Sequence, residues 1–171
     1  DDGVPARRRR RQAHCRDLRL GKRKVASYFV LISNPKSAFA VPWIDEVNEN
    51  DLTKIVYYGD SKPPANGPYE NKGNSALKDA FKLQKLFPEA TWLVPPMLHF
   101  SKPSPGFVRF NGLYVASSVE EIEMENNGQR FHNLKLNLTR QAVEEIDPKW
   151  LNSRATENDL VTADRLAPKG T

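Results

Sequence analysis

The chain has 171 residues, of which 39% are hydrophobic and 9% aromatic, enough to bury the core of one domain. Its apolar runs fall short of the roughly 18 residues that a membrane-spanning helix needs, so we expect a soluble protein. A single cysteine, Cys15, excludes an internal disulfide and a cysteine-rich zinc site. It is typical of a reducing compartment, which predicts a cytoplasmic location.

The net charge of +5 is unevenly distributed along the chain. Residues 1–24 contain ten Lys and Arg residues and three Asp residues, a net charge of +7, whereas the remainder has a net charge of −2. The five consecutive arginines at 7–11 repel one another and cannot form a core. The sequence therefore predicts a basic arm over residues 1–24. This arm is either a disordered, solubilising tail or a segment that binds a polyanion such as nucleic acid through counterion release.

Most of the chain beyond the arm is predicted to be β-structure. Apolar segments rich in β-branched and aromatic residues recur between turn residues. Asn127 and Gly128 between the last two segments are a strong hairpin signal. In the final segment Leu134, Leu136 and Leu138 alternate with polar residues, which is typical of a strand with one buried face. The predicted strands cover residues 25–33, 52–58, 91–94, 97–101, 107–115, 119–125 and 130–138.

Helical signals are few. A cap at Asn74 or Ser75 is followed by apolar residues on one helix face, and Pro88 ends this helix. Asp147 before Pro148 is typical of an N-cap followed by proline at the first helical position, which predicts a short second helix. At least six strands with one or two helices, and without strand–helix–strand alternation, favour an α+β fold that is mainly β. We expect a curved antiparallel sheet or a partly open β-barrel.

Three parts are expected along the chain. The basic arm over 1–24 precedes a β-rich domain over 25–154, and the polar tail over 155–171 is typical of a linker. Because the chain starts at Asp1 without an initiator methionine, we expect it to be excised from a longer protein.

Asp60 and Lys62 follow a predicted strand and permit a catalytic interpretation. Metal-dependent nucleases place carboxylates around a divalent cation and a lysine near the attacking water. In such enzymes the acid and lysine lie on a continuing strand, whereas Lys62 is followed at once by two prolines. A solvated strand end with an ion pair in the loop explains the same residues, so the nuclease stays an alternative. The upstream acid that would complete the set is Asp45, Glu46 or Asp51.

Other catalytic signals are weak. The three histidines, His14, His99 and His132, lack Cys or acidic partners at metal-binding spacing. The chain contains neither a nucleophile elbow nor a glycine-rich phosphate loop. A lone histidine on a strand is usually a hydrogen-bonded structural residue. We therefore expect no catalytic residue, no metal site and no cofactor in this chain.

Five short segments are informative through their order. They are VYYGD at 56–60 with Lys62 just beyond, GN at 73–74, PP at 95–96, VRFNGL at 108–113 and GQRFHN at 128–133. Together, over about residues 25–168, they resemble the N-terminal DNA-recognition domain of modification-dependent restriction endonucleases of the AspBHI type. The arm departs from this resemblance, because Arg-rich sequence stands where a Gly-rich segment is expected.

The resemblance implies an SRA/PUA-like fold that holds double-stranded DNA against a concave sheet. Such a module recognises a modified base, 5-methylcytosine in particular, after rotating it out of the stack. It further implies that the parent protein is a restriction endonuclease whose cleavage domain lies beyond the linker, so that this part is not itself catalytic. A general single-strand or RNA binder, using exposed aromatic residues with the arginine-rich arm, stays open as another class.

The base pocket implied by the resemblance consists of Tyr57, Tyr58, Asp60 and Asn74. The tyrosines supply a stacking face, with core packing as the alternative for whichever ring points inward. The Asp60 carboxylate accepts a hydrogen bond from the exocyclic amine of cytosine, and Asn74 is either a pocket residue or only a helix cap. Further DNA contacts, each with a solvated surface group as the alternative, are expected at Arg109, Arg130, His132 and Asn133, with Lys62 and Lys72 as phosphate clamps.

Overall fold

The computed structural model describes residues 12–14, 18–20, 23–34, 43–63, 67–143, 145–157 and 159–169. Within these ranges no helix is long and apolar enough to cross a membrane. The strands are β1 (Gln12–His14), β2 (Leu18–Leu20), β3 (Arg23–Val25), β4 (Tyr28–Ser33), β5 (Glu46–Val47), β6 (Lys54–Tyr58), β7 (Met97–Ser101), β8 (Arg109–Asn126) and β9 (Gln129–Arg140). The helices are α1 (Lys72–Leu86), α2 (Pro148–Thr156) and α3 (Leu160–Ala163), with 3₁₀ turns at Thr91–Leu93 and Asp164–Leu166.

Seven strands form one sheet in the order β1-β4-β7-β8-β9-β6-β5, and β2 pairs with β3 in a separate hairpin. Neighbouring strands of the sheet are antiparallel except β4 and β7, which run parallel with Phe29 opposite Met97. A parallel pair needs a long crossover connection, and here β5, β6 and α1 lie within it. The predicted mainly β fold with a curved sheet is confirmed, and the sheet is mixed rather than wholly antiparallel.

The longest strands, β8 and β9, form the predicted hairpin. Asn127 and Gly128 have φ angles of 52° and 76°, the conformation that an Asn-Gly turn adopts most readily. Two register irregularities interrupt the regular pairing, and in both the extra residue lies on β8, Asn111 in the pairing with β7 and Ser117 in the pairing with β9. Bulges of this kind bend strands and increase their twist, so they help to curl the sheet.

The strands have two apolar faces because successive side chains alternate. The inner face packs against α1 and includes Leu134, Leu136 and Leu138, which are completely buried. The alternation predicted for this strand is therefore confirmed. At one end the outer face packs against α2, and the buried members of that cluster are Leu98, Leu113, Val143 and Trp150.

Helix α1 begins earlier than its predicted cap. Asn71 is the N-cap, and its side chain accepts a hydrogen bond from the N–H of Gly73 at 2.8 Å. The prediction of a cap at Asn74 or Ser75 was wrong because Asn71 satisfies the free N–H groups of the first turn. Asn74 thus lies inside the helix with its side chain buried. The predicted strand over 91–94 contains the 3₁₀ turn instead.

A buried arginine fastens the C-terminal helices to the sheet. Arg154, 1% exposed, donates to three backbone carbonyl oxygens and to Asp164 Oδ1 at 2.6 Å. Desolvation lowers the pKa of Arg154, and the Asp164 carboxylate opposes that effect. Leu160 and Ala163 of α3 are also buried, so part of the tail expected as a linker packs onto the domain. The carbonyl groups belong to Ser27, Trp92 and Val94, at 2.9, 3.2 and 3.3 Å.

Replacing Arg154 with alanine is expected to destabilise the domain by about 3–5 kcal/mol, because three buried carbonyl groups and the Asp164 carboxylate lose their donor. Urea unfolding measures the change. Arg165→Ala, which removes an exposed arginine near the same turn, is the matched control and should leave the midpoint nearly unchanged. Equal midpoints for the two variants would contradict the structural role of Arg154.

Candidate functional site

The sheet curls until strands that are not neighbours face each other. In the strand order β6 and β4 are separated by β9, β8 and β7, yet Asp45 accepts hydrogen bonds from both. Its donors are Ser33 Oγ at 2.8 Å and the N–H of Tyr58 at 2.9 Å. Across the same gap the ring of Tyr57 lies 6.5 Å from that of His99, edge to face. The inner side of the curled sheet between β6 and β4 is called the cleft below.

A continuous series of hydrogen bonds, called the polar chain below, joins strands on the inner side of the curled sheet. Its donor–acceptor distances lie between 2.8 and 3.3 Å. Apart from Arg109 at one end, its side chains are at most 9% exposed. Buried polar groups of this kind are stable only when each has a partner. In order, the members are Arg109, Asn111, His99, Ser33 and Asp45, and the series ends at the N–H of Tyr58.

The polar chain requires a neutral His99 with its proton on Nε2. The Ser33 hydroxyl has one proton, which it donates to Asp45, so Ser33 Oγ accepts from His99 Nε2 at 2.9 Å. Asn111 Nδ2 then donates to His99 Nδ1 at 2.9 Å. Burial lowers the pKa of His99 from 6.5 to about 4, because the charged imidazolium would lose its hydration.

Tyr57 and Tyr58 point to opposite sides of β6, as neighbouring strand residues must. Tyr57 packs against the inner core and faces His99. Tyr58 Oη donates to Glu46 Oε1 at 3.2 Å, and burial together with this carboxylate raises the pKa of Tyr58. Asp60 follows two residues later with a half-buried side chain. Of the two tyrosines, Tyr57 is therefore the one on the cleft side.

Asn74, expected in the base pocket or as a helix cap, and Asn133, expected as a DNA contact, lie together beneath residues 59–61. They are 1% and 0% exposed, and Asn74 Nδ2 donates to Asn133 Oδ1 at 3.1 Å. Asn74 Oδ1 accepts from the N–H of Asp60 at 3.0 Å. Asn133 Nδ2 donates to the carbonyl oxygen of Gly59 at 2.8 Å. The structure thus gathers Asp60, Asn74 and Asn133, with both amides enclosed by protein.

The basic residues expected to contact DNA lie in separate places. Arg109 begins β8, where its Nη1 is 3.7 Å from Glu49 Oε2. Lys62 is exposed in the loop after β6, and Lys72 is exposed at the start of α1. These three cations thus lie on three different segments, at the start of β8, after β6 and at the start of α1.

Arg130 and His132 lie apart from this group, on the part of β9 next to the hairpin turn. Both are exposed and face the acidic side of β8. Arg130 Nη1 is 3.2 Å from Glu123 Oε1, and His132 is the cross-strand partner of Glu123.

Sequence reasoning missed most of the polar chain. Asp45 was considered only as a nuclease acid, and His99 only as a structural residue, which its hydrogen bonds agree with. The sequence signal that could have found these residues is the place of each polar residue in the inward–outward alternation of its strand. Ser33 continues the inward alternation of Phe29 and Leu31, so a polar side chain at that place had to find a partner inside.

The nuclease alternative requires several acidic side chains around one metal ion. In the part of the chain that the structure describes, no three His, Cys, Asp or Glu side chains are placed to share a metal ion. The Asp45 carboxylate instead holds Ser33 and the backbone of Tyr58.

The buried neutral His99 makes stability depend on pH. Its folded pKa of about 4 lies below the unfolded value of 6.5, so stability is fully present above pH 6.5 and falls as the pH drops toward 4. Between pH 7.5 and 5 the loss is about 2 kcal/mol. Urea unfolding of the wild type and of His99→Gln, which cannot titrate, measures it. Parallel pH profiles for the two proteins would show that His99 is not held neutral.

Three solved structures of known proteins are similar to this chain. The modification-dependent restriction endonuclease AspBHI is 29% identical with a TM-score of 0.64, over 76% of this chain and 35% of its own. The DNA-recognition domain of the cytosine modification-dependent restriction endonuclease LpnPI is 25% identical with a TM-score of 0.65, over 85% and 67%. The restriction endonuclease MspJI, in complex with a 27-mer oligonucleotide, is 27% identical with a TM-score of 0.72, over 87% and 37%.

The fold also extends to SRA domains. The SRA domain of SUVH5, in complex with methylated DNA, is 16% identical with a TM-score of 0.51, which shows a shared fold alone. No curated protein sequence matches the chain. The chain spans about a third of the AspBHI and MspJI chains. The family described as restriction endonuclease AspBHI, N-terminal, matches residues 9–170, and the chain therefore belongs to this family of N-terminal restriction endonuclease domains.

Proposed function

We propose that this domain binds double-stranded DNA and recognises a modified cytosine, as the recognition module of a modification-dependent restriction endonuclease. The observation that carries the proposal is the family match over residues 9–170. The similarity to the LpnPI recognition domain and to MspJI with its oligonucleotide supports it at 25% and 27% identity. Strand cleavage then belongs to a part of the parent protein outside this chain.

The cleft offers the two kinds of group that a base rotated out of the stack needs. Rotation costs a few kcal/mol, which stacking and hydrogen bonds to the base must offset. Tyr57, half-buried and packed in part against the inner core, supplies an aromatic ring on the cleft side, and the half-buried Asp60 supplies a carboxylate just beyond β6. A carboxylate accepts from the exocyclic amine of cytosine and so selects that base. The polar chain holds β6 in place from behind.

The loop between β7 and β8 supports contact with duplex DNA. Phe107 and Val108 are 69% and 58% exposed, although both are apolar. They stand directly before Arg109 and follow Lys102 in the same loop. Proteins that unstack DNA combine apolar wedges with basic residues in this way. We propose that this loop fills the gap that a rotated base leaves in the base stack.

If the proposal is correct, the domain binds a duplex with one 5-methylcytosine at least about tenfold more tightly than the same duplex unmodified. Asp60→Ala should remove most of that preference, because a rotated cytosine is no longer held by its amine and the remaining binding, through phosphates, is the same for both duplexes. Asp79→Ala, which removes an exposed carboxylate from α1, is the control and should keep the preference. Fluorescence anisotropy with labelled duplexes measures the dissociation constants.

Two added samples distinguish the alternatives. Equal affinity for the two duplexes together with tighter binding to the matching single strand would favour a general single-strand binder. Cutting of either duplex in the presence of Mg²⁺ would favour the nuclease that uses Asp60 and Lys62.

Arg109→Ala should weaken binding to modified and unmodified duplexes by the same factor, because a phosphate contact carries no sequence information. The slope of log affinity against log salt concentration should fall by about one unit. Anisotropy titrations at several salt concentrations test this, with Arg165→Ala as the matched loss of an exposed arginine. A change confined to the modified duplex would instead place Arg109 at the base.

A further inference from the structure

We propose that Asn74 and Asn133 form an amide pair that, together with Asn71, positions residues 59–61 and with them the Asp60 carboxylate to hold a rotated cytosine, the step on which preference for modified DNA depends, without touching DNA. This inference rests on the proposed function. It gives these two residues a different role from those expected from the sequence, a base-pocket residue or helix cap for Asn74 and a DNA contact for Asn133. We call Gly59, Asp60 and Ser61 the recognition loop.

Both ends of the Asn133 amide form hydrogen bonds, to the recognition loop and to the backbone of β9. Nδ2 donates to the carbonyl oxygen of Gly59 at 2.8 Å. Oδ1 accepts from the N–H of Ser61 at 3.3 Å and from the N–H of Leu134 at 2.9 Å. Because donor and acceptor face different backbone groups, the orientation of the amide is determined by its partners.

Asn74 completes the arrangement from the first turn of α1. Its Oδ1 accepts from the N–H of Asp60 at 3.0 Å. Its Nδ2 donates to Ser61 Oγ at 2.9 Å and to Asn133 Oδ1 at 3.1 Å. The recognition loop is thereby joined to two separate elements, α1, which follows it in the chain, and β9, which is more than 60 residues away.

Asn71, the N-cap of α1, holds the remaining polar group beside Asp60. Its Nδ2 donates to the carbonyl oxygen of Asp60 at 2.9 Å, while its Oδ1 caps the helix through the N–H of Gly73. Both backbone polar groups of Asp60 are therefore bonded to asparagine side chains. A carboxylate on such a backbone loses little conformational entropy when a ligand binds, which is the condition for selective recognition.

The fit between loop and amides leaves no space for a side chain at position 59. A Cβ atom on Gly59 would lie 2.5 Å from Asn74 Oδ1 and 2.6 Å from Asn133 Oδ1. Such distances essentially never occur, so only glycine lets the loop lie directly on the amide pair. Glycine at this place is explained by close packing of the loop and not by an unusual φ angle.

The test replaces asparagine with aspartate, so that the side-chain N–H donor becomes an acceptor oxygen while the shape of the side chain is kept. Asn133→Asp keeps an oxygen toward Ser61 but places the other oxygen against the Gly59 carbonyl oxygen. Asn71→Asp keeps the helix cap, since aspartate caps as well as asparagine, but loses the donor to Asp60. Asn137→Asp on the same strand, whose partner Ser118 can donate to a carboxylate, adds the same charge away from the loop and serves as the control.

We expect the ratio of dissociation constants for unmodified and 5-methylcytosine duplexes to fall at least about fivefold in Asn133→Asp and Asn71→Asp. Affinity for the unmodified duplex should match that of Asn137→Asp, because phosphate contacts are unaffected. A merely structural role would lower both affinities together. Thermal unfolding identifies any variant that does not fold, and Asn71→Asp then decides the outcome.

Retention of the wild-type ratio in a folded Asn71→Asp or Asn133→Asp protein would overturn the positioning role. The proposed function fails separately, if the wild-type domain itself binds the two duplexes equally.

Discussion

The arrangement depends on one constraint: a sheet curled on itself encloses polar groups, and each of them needs a partner. The polar chain meets this constraint with a neutral His99, which receives a hydrogen bond at Nδ1 and gives one at Nε2. A charged imidazolium has an N–H at both ring nitrogens and would lose the acceptor at Nδ1. The burial that lowers the pKa of His99 therefore also preserves these hydrogen bonds. The series joins β8, β7 and β4 to Asp45 and so connects the strands that the curl of the sheet brings together.

The polar chain and the amide pair of Asn74 and Asn133 meet at the end of β6. Four consecutive backbone N–H groups, from Tyr58 to Ser61, each have a protein acceptor. The acceptors are Asp45, the carbonyl oxygen of Leu134, Asn74 and Asn133. A segment without regular secondary structure is thus held as firmly as a strand. In the proposed function this rigidity is what lets the Asp60 carboxylate distinguish one base from another.

Local patterns predicted the local structure well. The hairpin at Asn127 and Gly128, the cap at Asp147 and the buried leucines of β9 each follow from a signal within a few residues. The resemblance carried by short ordered segments predicted the family, which the match over residues 9–170 shows. Even so, the helix cap was displaced to Asn71, since several asparagines compete for the same turn.

Hydrogen bonds between residues far apart in the sequence could not be predicted from those local patterns. Asn133 lies 74 residues from Gly59, and His99 lies 66 residues from Ser33. Spacing along the chain does not encode such contacts, and a polar residue on an apolar strand predicts a partner without naming it. The C-terminal tail is a similar case. Its polar composition is typical of a linker, yet Arg154 and the buried side chains of α3 tie it to the domain.

The central claim is that a modified base leaves the DNA stack and enters the cleft. The most direct measurement places the fluorescent base 2-aminopurine next to 5-methylcytosine in a duplex and records emission as the domain is added to saturation. Unstacking of the modified base predicts a clear rise in emission, absent with the unmodified duplex. Unchanged emission at saturation, with binding verified by anisotropy, would contradict this account.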